Sequence, residues 1–204
     1  METQMKKIVF LSLLLIANIA VAKLSFVTTT HPGQWQLIND ASTLNFTTTK
    51  NSSKTEIQSF KKFQGHISDT KVSMIVDLSS VDTGIEIRDQ RIKELFFDIV
   101  KFPTATVTID LKKSDLKQIK IGQIKTLREQ ATIEIHGKKQ TLPVELQVIS
   151  LDHNKLMVFS RKPVIIYLKN FDLLNGVIAL REIAKLKSIN TAVPVTFSLV
   201  FSHQ

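Results

Sequence analysis

From Trp35 onward, apolar and polar side chains alternate along the chain with a period of two. Leu44, Phe46 and Thr48 flank Asn45 and Thr47, and Val72, Met74, Val76 and Leu78 flank Ser73, Ile75 and Asp77. Ala105, Val107, Ile109 and Leu111 alternate with Thr104, Thr106, Thr108 and Asp110, and Ala131, Ile133 and Ile135 with Thr132, Glu134 and His136. Leu142, Val144, Leu146 and Val148 face one way, Glu145 and Gln147 the other. The last run sets Val193, Val195, Phe197, Leu199 and Phe201 against Pro194, Thr196, Ser198, Val200 and Ser202. Side chains of a strand point to opposite faces in turn, so each run offers one apolar and one wet face. That pattern predicts antiparallel sheet and not the doubly apolar strands of a parallel one. Weaker strand candidates span 57–67, 119–125, 156–159 and 164–168. Between two strong runs, His136-Gly137-Lys138-Lys139-Gln140 predicts a hairpin turn in which Gly137 takes a positive φ. Eight or more half-apolar strands must close on themselves or form a sandwich.

Two stretches change period. In 85–99, Ile85, Ile92, Leu95, Phe96 and Ile99 recur at helical spacing among Arg88, Asp89, Arg91, Lys93 and Glu94. Thr83 is a candidate cap before this helix, and Lys101-Phe102-Pro103 ends it. In 174–186, Val177, Leu180, Ile183, Ala184 and Leu186 share one side. Both predict short amphipathic helices across the openings of a barrel or sandwich. Ser79-Ser80 is read as the end of a strand.

The first 22 residues differ in kind. Lys6 and Lys7 precede an apolar run from Ile8 to Ile19, and Ala20-Val21-Ala22 closes it with small residues. This is the pattern of a secretory signal peptide cut between Ala22 and Lys23. The run is short of the ~20 apolar residues of a membrane span. Residues 23–34 read as an N-terminal lead and 35–204 as one domain. Removing residues 1–22 takes Glu2, Lys6 and Lys7 with it and lowers the net charge from +9 to +8. A basic, exported chain is suited to transient contact with an anionic membrane surface. One Trp and one Tyr supply no base-stacking platform, which argues against nucleic acid. With no cysteine, disulfides, thiolate nucleophiles and Cys-ligated metals are excluded.

Candidate chemistry is sparse. His31, His66, His136, His153 and His203 fall at no H-x-H or H-E-x-x-H spacing, so no metal site is signalled. Ser79-Ser80 lacks a nucleophile elbow, and no glycine-rich phosphate loop is present. Arg88, Asp89, Arg91 and Asp98 form either a solvated helix face with local ion pairs or an anion-binding rim. The apolar faces carry nothing ionisable. They pack a filled core or line a cavity, because eight-stranded barrels lie at the border between the two.

The ordered motifs add to this reading. Trp35-Gln36-Leu37-Ile38 is followed by Ser42-Thr43-Leu44-Asn45-Phe46 and by Phe60-x-x-Phe63-x-Gly65. Ser79-Ser80-Val81-Asp82-Thr83-Gly84 leads into Ile87-Arg88-Asp89, then Leu95-Phe96-Phe97-Asp98 and Lys101-Phe102-Pro103-Thr104-Ala105. Ile133-Glu134-Ile135-His136-Gly137, Leu142-Pro143-Val144 and Val193-Pro194-Val195 complete the series. Over about residues 35–202 the chain resembles the YceI-like family of exported proteins, whose lipocalin-like barrels bind polyisoprenoid lipids. The resemblance implies an all-β fold, an eight-stranded antiparallel lipocalin-like barrel with two short helices. It also implies an isoprenoid lipid held in the apolar pore, with no cofactor and no catalytic residues; an isoprenoid quinone is the other isoprenoid of this size, and the signal pattern points to the periplasm or the outside of the cell. Two places depart from the family pattern: Ser42-Thr43, where members often carry His after Ser, and the apolar helix-like stretch after Phe171.

On this reading the cavity-lining, ligand-binding candidates are Phe46, Met74, Val76, Val107, Ile109, Ile133, Ile135, Val144, Leu146, Phe197 and Leu199. Arg88 and Arg91 are the candidates for an anionic head-group rim. The function expected is that of a carrier or reservoir. A quinone-linked redox helper or enzyme on the same barrel, and a filled barrel serving as a partner-binding module, are the alternatives. The oligomeric state, a homodimer included, stays open.

Overall fold

The structure, a computed structural model, describes residues 35–68, 70–111 and 119–203. The signal-peptide and lead segments, with the Ala22–Lys23 cleavage site and His31, lie outside the described residues. So do residues 112–118.

The alternating runs become eight staves of one barrel. β1 (Trp35–Leu37) and β2 (Thr43–Lys50) make the first stave, and β3 (Lys54–Phe60) and β4 (Phe63–Ile67) the second. β5 (Lys71–Asp77) and β6 (Val81–Asp82) make the third. β7 (Thr104–Asp110), β8 (Ile124–Ile135) and β9 (Lys138–Asp152) run unbroken. β10 (Lys155–Ser160) and β11 (Val164–Tyr167) form the seventh stave and β12 (Ala192–His203) the eighth. Each stave pairs antiparallel with the next. β12 then closes the ring by pairing with both β1 and β2. Closure removes the unpaired edges that an open sheet would expose.

Four staves are broken, and three of the breaks are stitched together by side chains. A 3-10 turn at Asn39–Ala41 separates β1 from β2. The Asn39 amide donates to the Lys61 carbonyl (2.9 Å) and its oxygen accepts from the Phe63 N–H (2.9 Å), so the first break holds the second. At the third break, Leu78–Ser80 form another 3-10 turn, and Ser80 Oγ accepts from the Lys62 N–H at 2.9 Å. Asp77 caps that turn by accepting from the Ser79 N–H (2.8 Å). Ser79-Ser80 therefore sit in a turn between two strand segments and do not end a strand. Residues 57–67, read as one strand, are two for the same reason. The 119–125 candidate contracts to its last two residues: β8 starts at Ile124, and only Ile121 bridges to Ser150 before it.

The β8–β9 hairpin turns on two residues only, His136 (φ 52°) and Gly137 (φ 71°). Two successive positive φ values give the turn the twist a right-handed hairpin needs. Lys138, Lys139 and Gln140 belong to β9.

One end of the barrel is packed shut. The Trp35 and His203 rings meet edge to face at 5.0 Å, and Ile67, Ala131, Val148 and Phe201 behind them are almost fully buried. The other end carries the helices. α1 (Glu86–Arg91) continues into a wider π-helical turn, Ile92–Phe97, and α2 (Leu174–Ile183) crosses it. The crossing is close because position 176 is glycine: a Cβ there would stand 2.7 Å from the Phe96 Cα. Thr83 does not cap α1. Ile85 holds the cap position, and Thr83 instead donates its N–H and its hydroxyl to the Asp89 carboxylate.

Candidate functional site

Inside the barrel lies a cavity of about 190 Å³ whose surface is wholly apolar. Protein interiors hold few voids larger than a water molecule, so a space of this size is a built feature. All eleven inward candidates of the sequence reading line it: Phe46, Met74, Val76, Val107, Ile109, Ile133, Ile135, Val144, Leu146, Phe197 and Leu199. Leu44, Val72, Ala105, Ala131, Val195 and Phe201 join them from the same alternating faces. Phe60, Val164 and Ile166 come from the weaker strands, and Phe97 from the end of the π turn. Phe97 carries no strand-period signal; only the helix folding over the barrel end brings it in.

Packing varies along the barrel axis. Ile109, Ile133, Val144, Leu146 and Leu199 are buried against neighbours, while Phe46, Phe60, Val107, Ile135, Val195 and Phe197 are only partly so. Inward-facing apolar side chains that keep accessible surface mark where the interior is not filled. Toward the helices the cavity ends in aromatic rings. Phe46 lies 5.2 Å from Phe60, Phe60 6.0 Å from Phe97, and Phe97 4.7 Å from Phe96.

Beyond these rings the inner face of β3 turns polar, from Phe60 through Gln58 to Glu56. Glu56 accepts from Lys50 Nζ at 2.7 Å and from the Arg88 guanidinium. The Lys50 hydrogen bond and the paired Arg88 lower the Glu56 pKa from 4.5 to about 2, against a partial desolvation that raises it. Arg88 also donates from Nε to Thr83 Oγ1 and from its second terminal nitrogen to the Thr83 carbonyl, both at 2.8 Å. Lys54 Nζ stands 3.6 Å from the other carboxylate oxygen, so three cations gather on one carboxylate and leave net positive charge above the apolar space.

The Arg-Asp set is thus neither a solvated face nor paired within its own helix. Arg88 turns to a carboxylate 32 residues earlier, Asp89 holds Thr83, and Asp98 pairs with Lys101 at 2.7 Å. Arg91 is half-exposed and makes no ion pair among the described residues. Arg88 and Arg91 share no ion-pair or hydrogen-bond partner among the described residues. Lys50 and Glu56 are not legible as site residues, because their partners lie on other elements, nor is Gln58, whose burial no local pattern announces.

No group of His, Asp or Glu suited to a metal ion occurs among the described residues. His66 and His153 are exposed, and the His136 ring packs at 4.2 Å from Phe102.

The sequence model of the YceI-like domain matches residues 35–201. Among solved structures, a polyisoprenoid binding domain from Saccharophagus degradans, implicated in plant cell wall breakdown, superposes with a TM-score of 0.81 at 30% identity. That match covers 83% of this chain and 98% of the other. Burkholderia cenocepacia BcnA superposes with a TM-score of 0.64 at 18% identity, covering 80% of this chain and 98% of the other, and shares the fold. A mutant CJ YCEI protein does so at 0.55 and 15%, covering 72% and 84%. No curated protein matches the chain.

Proposed function

We infer the function from this premise: the chain belongs to the YceI-like domain family. The protein binds an isoprenoid lipid or isoprenoid quinone, tail inward in the barrel, and acts by holding and delivering it and not by catalysis. One observation carries this reading, the wholly apolar cavity inside a closed barrel. At ~24 cal/mol per Å³ of void, keeping about 190 Å³ empty costs on the order of 5 kcal/mol. An apolar guest removes that cost, and each Å² of its own surface withdrawn from water contributes ~25 cal/mol more. The relative from Saccharophagus degradans, described as a polyisoprenoid binding domain, supports the same cargo class. A filled barrel that works only through its outer surface does not account for the cavity.

The dimensions bear on mechanism. A cavity of ~150 Å³ takes one benzene ring, so about 190 Å³ takes only part of a polyprenyl chain. A longer tail must displace the Phe46, Phe60 and Phe97 rings, which stand between the cavity and the helix end. These rings act as the gate through which a chain is loaded. Export by the N-terminal segment places the protein in the periplasm or outside the cell, where an insoluble chain needs a carrier between membranes. Its positive charge draws it transiently to anionic membrane surfaces.

The test is mass spectrometry of an organic extract of protein purified without detergent. The reading expects an isoprenoid in near-stoichiometric amount; an extract holding only membrane phospholipids in trace amounts would reject it.

A further inference from the structure

Gln58 is one of two buried polar side chains among the described residues, and it is 6% exposed. The other, Ser150, donates to the Asp152 carbonyl at 3.1 Å. The Gln58 amide oxygen has no hydrogen-bond partner. A buried acceptor left unpaired is costly enough that its presence calls for a reason.

Position supplies one. Gln58 stands opposite Phe46 in the β2–β3 pair and two residues from Phe60, so it shares the inner face with two cavity-lining rings. Its neighbour Ile57 points outward and is 74% exposed. On the far side of Gln58 along β3, the carboxylate of Glu56 is already taken by Lys50 and Arg88. Gln58 is not part of the cavity surface but stands next to its Phe46 and Phe60 rings, so the order along the inner face is an apolar cavity, one unpaired acceptor reached when those rings move aside, then the ion cluster around Glu56.

We propose that Gln58 is the head-group residue of the cavity: its amide oxygen accepts a hydrogen bond from a hydroxyl at the polar end of the isoprenoid. The inference rests on the isoprenoid-binding reading and narrows it. An acceptor selects a donor, and the neutral donor among isoprenoid head groups is the hydroxyl of a prenyl alcohol or a quinol. An ether, an oxidised quinone or an ionised phosphate offers only acceptors, which can take the amide N–H but leave its oxygen unpaired. The barrel therefore discriminates between ends of the same chain.

The experiment compares geranylgeraniol with geranylgeranyl methyl ether, both delivered from cyclodextrin to delipidated protein. Binding is measured for the wild type and for Gln58→Met, which keeps length and removes the polar atoms. Thermal unfolding checks that the variant folds, and Gln58→Leu replaces it if it does not. The wild type should bind the alcohol about tenfold more tightly than the ether, the usual scale of one buried hydrogen bond. The variant should bind both alike, near the wild-type affinity for the ether. Equal affinities in the wild type would overturn the assignment and leave solvent as the amide's partner. A preference that persists in the variant would overturn it as well. Binding of neither compound would instead reject the isoprenoid reading itself.

Discussion

Val107→Phe separates a cavity meant to be filled by a guest from a core that merely packs imperfectly. Val107 lies on β7 between Met74 and Ile133. It faces the cavity and is only partly buried. Phenylalanine adds four carbons, and at ~0.8 kcal/mol per buried carbon the gain is at most ~3 kcal/mol if the ring drops into open space. Were the site packed, the same ring would overfill it at a cost of ~1–3 kcal/mol. The sign of the effect is therefore the readout. For a domain of this size, 1 kcal/mol moves Tm by ~2–4 °C, so the two outcomes differ by an easily measured interval. Ligand linkage adds a second contrast: geranylgeraniol at 100 times its Kd should stabilise the wild type by ~2.7 kcal/mol. The filled variant should show little response. The assay is thermal unfolding by circular dichroism of delipidated wild type and Val107→Phe, each with and without geranylgeraniol. A variant destabilised by kilocalories, beside a wild type indifferent to the alcohol, would refute the reasoning.

Three further outcomes follow from the geometry. Glu56 titrates at about 2 when folded against 4.5 ordinarily, so its contribution is complete above pH 4.5 and is lost as pH falls toward 2. Glu56→Gln should lower stability at pH 7 by ~1–2 kcal/mol, a value discounted for partial exposure, with the difference from wild type closing below pH ~3 in urea titrations. Ile109 is buried in the cavity wall and Thr108 faces away, so Ile109→Asp should prevent folding or cost several kcal/mol while Thr108→Asp stays within ~0.5 kcal/mol. Gly176→Ala places a methyl 2.7 Å from backbone at the helix crossing, and calorimetry should show a loss of ~1–3 kcal/mol.

Much of the barrel is readable from alternation alone, because a two-residue period fixes the face of every side chain once one is placed. That is why Val107, Ile133 and Leu146 can be assigned inward without coordinates. The breaks are different. They depend on Asn39 reaching Lys61 and Phe63 and on Ser80 reaching Lys62, contacts 18 to 24 residues apart that leave no local period. Thr83 has the composition of a helix cap, yet Asp89 claims it from inside the helix. The 119–125 stretch shows that alternation between Ile119 and Ile121 is not sufficient without a partner strand. Hollow and filled barrels share one alternating pattern; what separates them here is the open space bordered by the partly buried Val107 and Phe197. Gln58 carries no sequence signal, since a glutamine on a weak strand reads as surface until its burial is known.

The central claim is that an isoprenoid chain lies inside the barrel with its polar end at Gln58. Diffraction from crystals grown with a prenyl alcohol carrying bromine on its terminal carbon tests it most directly. The account predicts an anomalous peak at the closed end of the cavity, among Ile109, Ala131 and Phe201. A bromine located outside the barrel, or at the helix end beside Phe97, would contradict it.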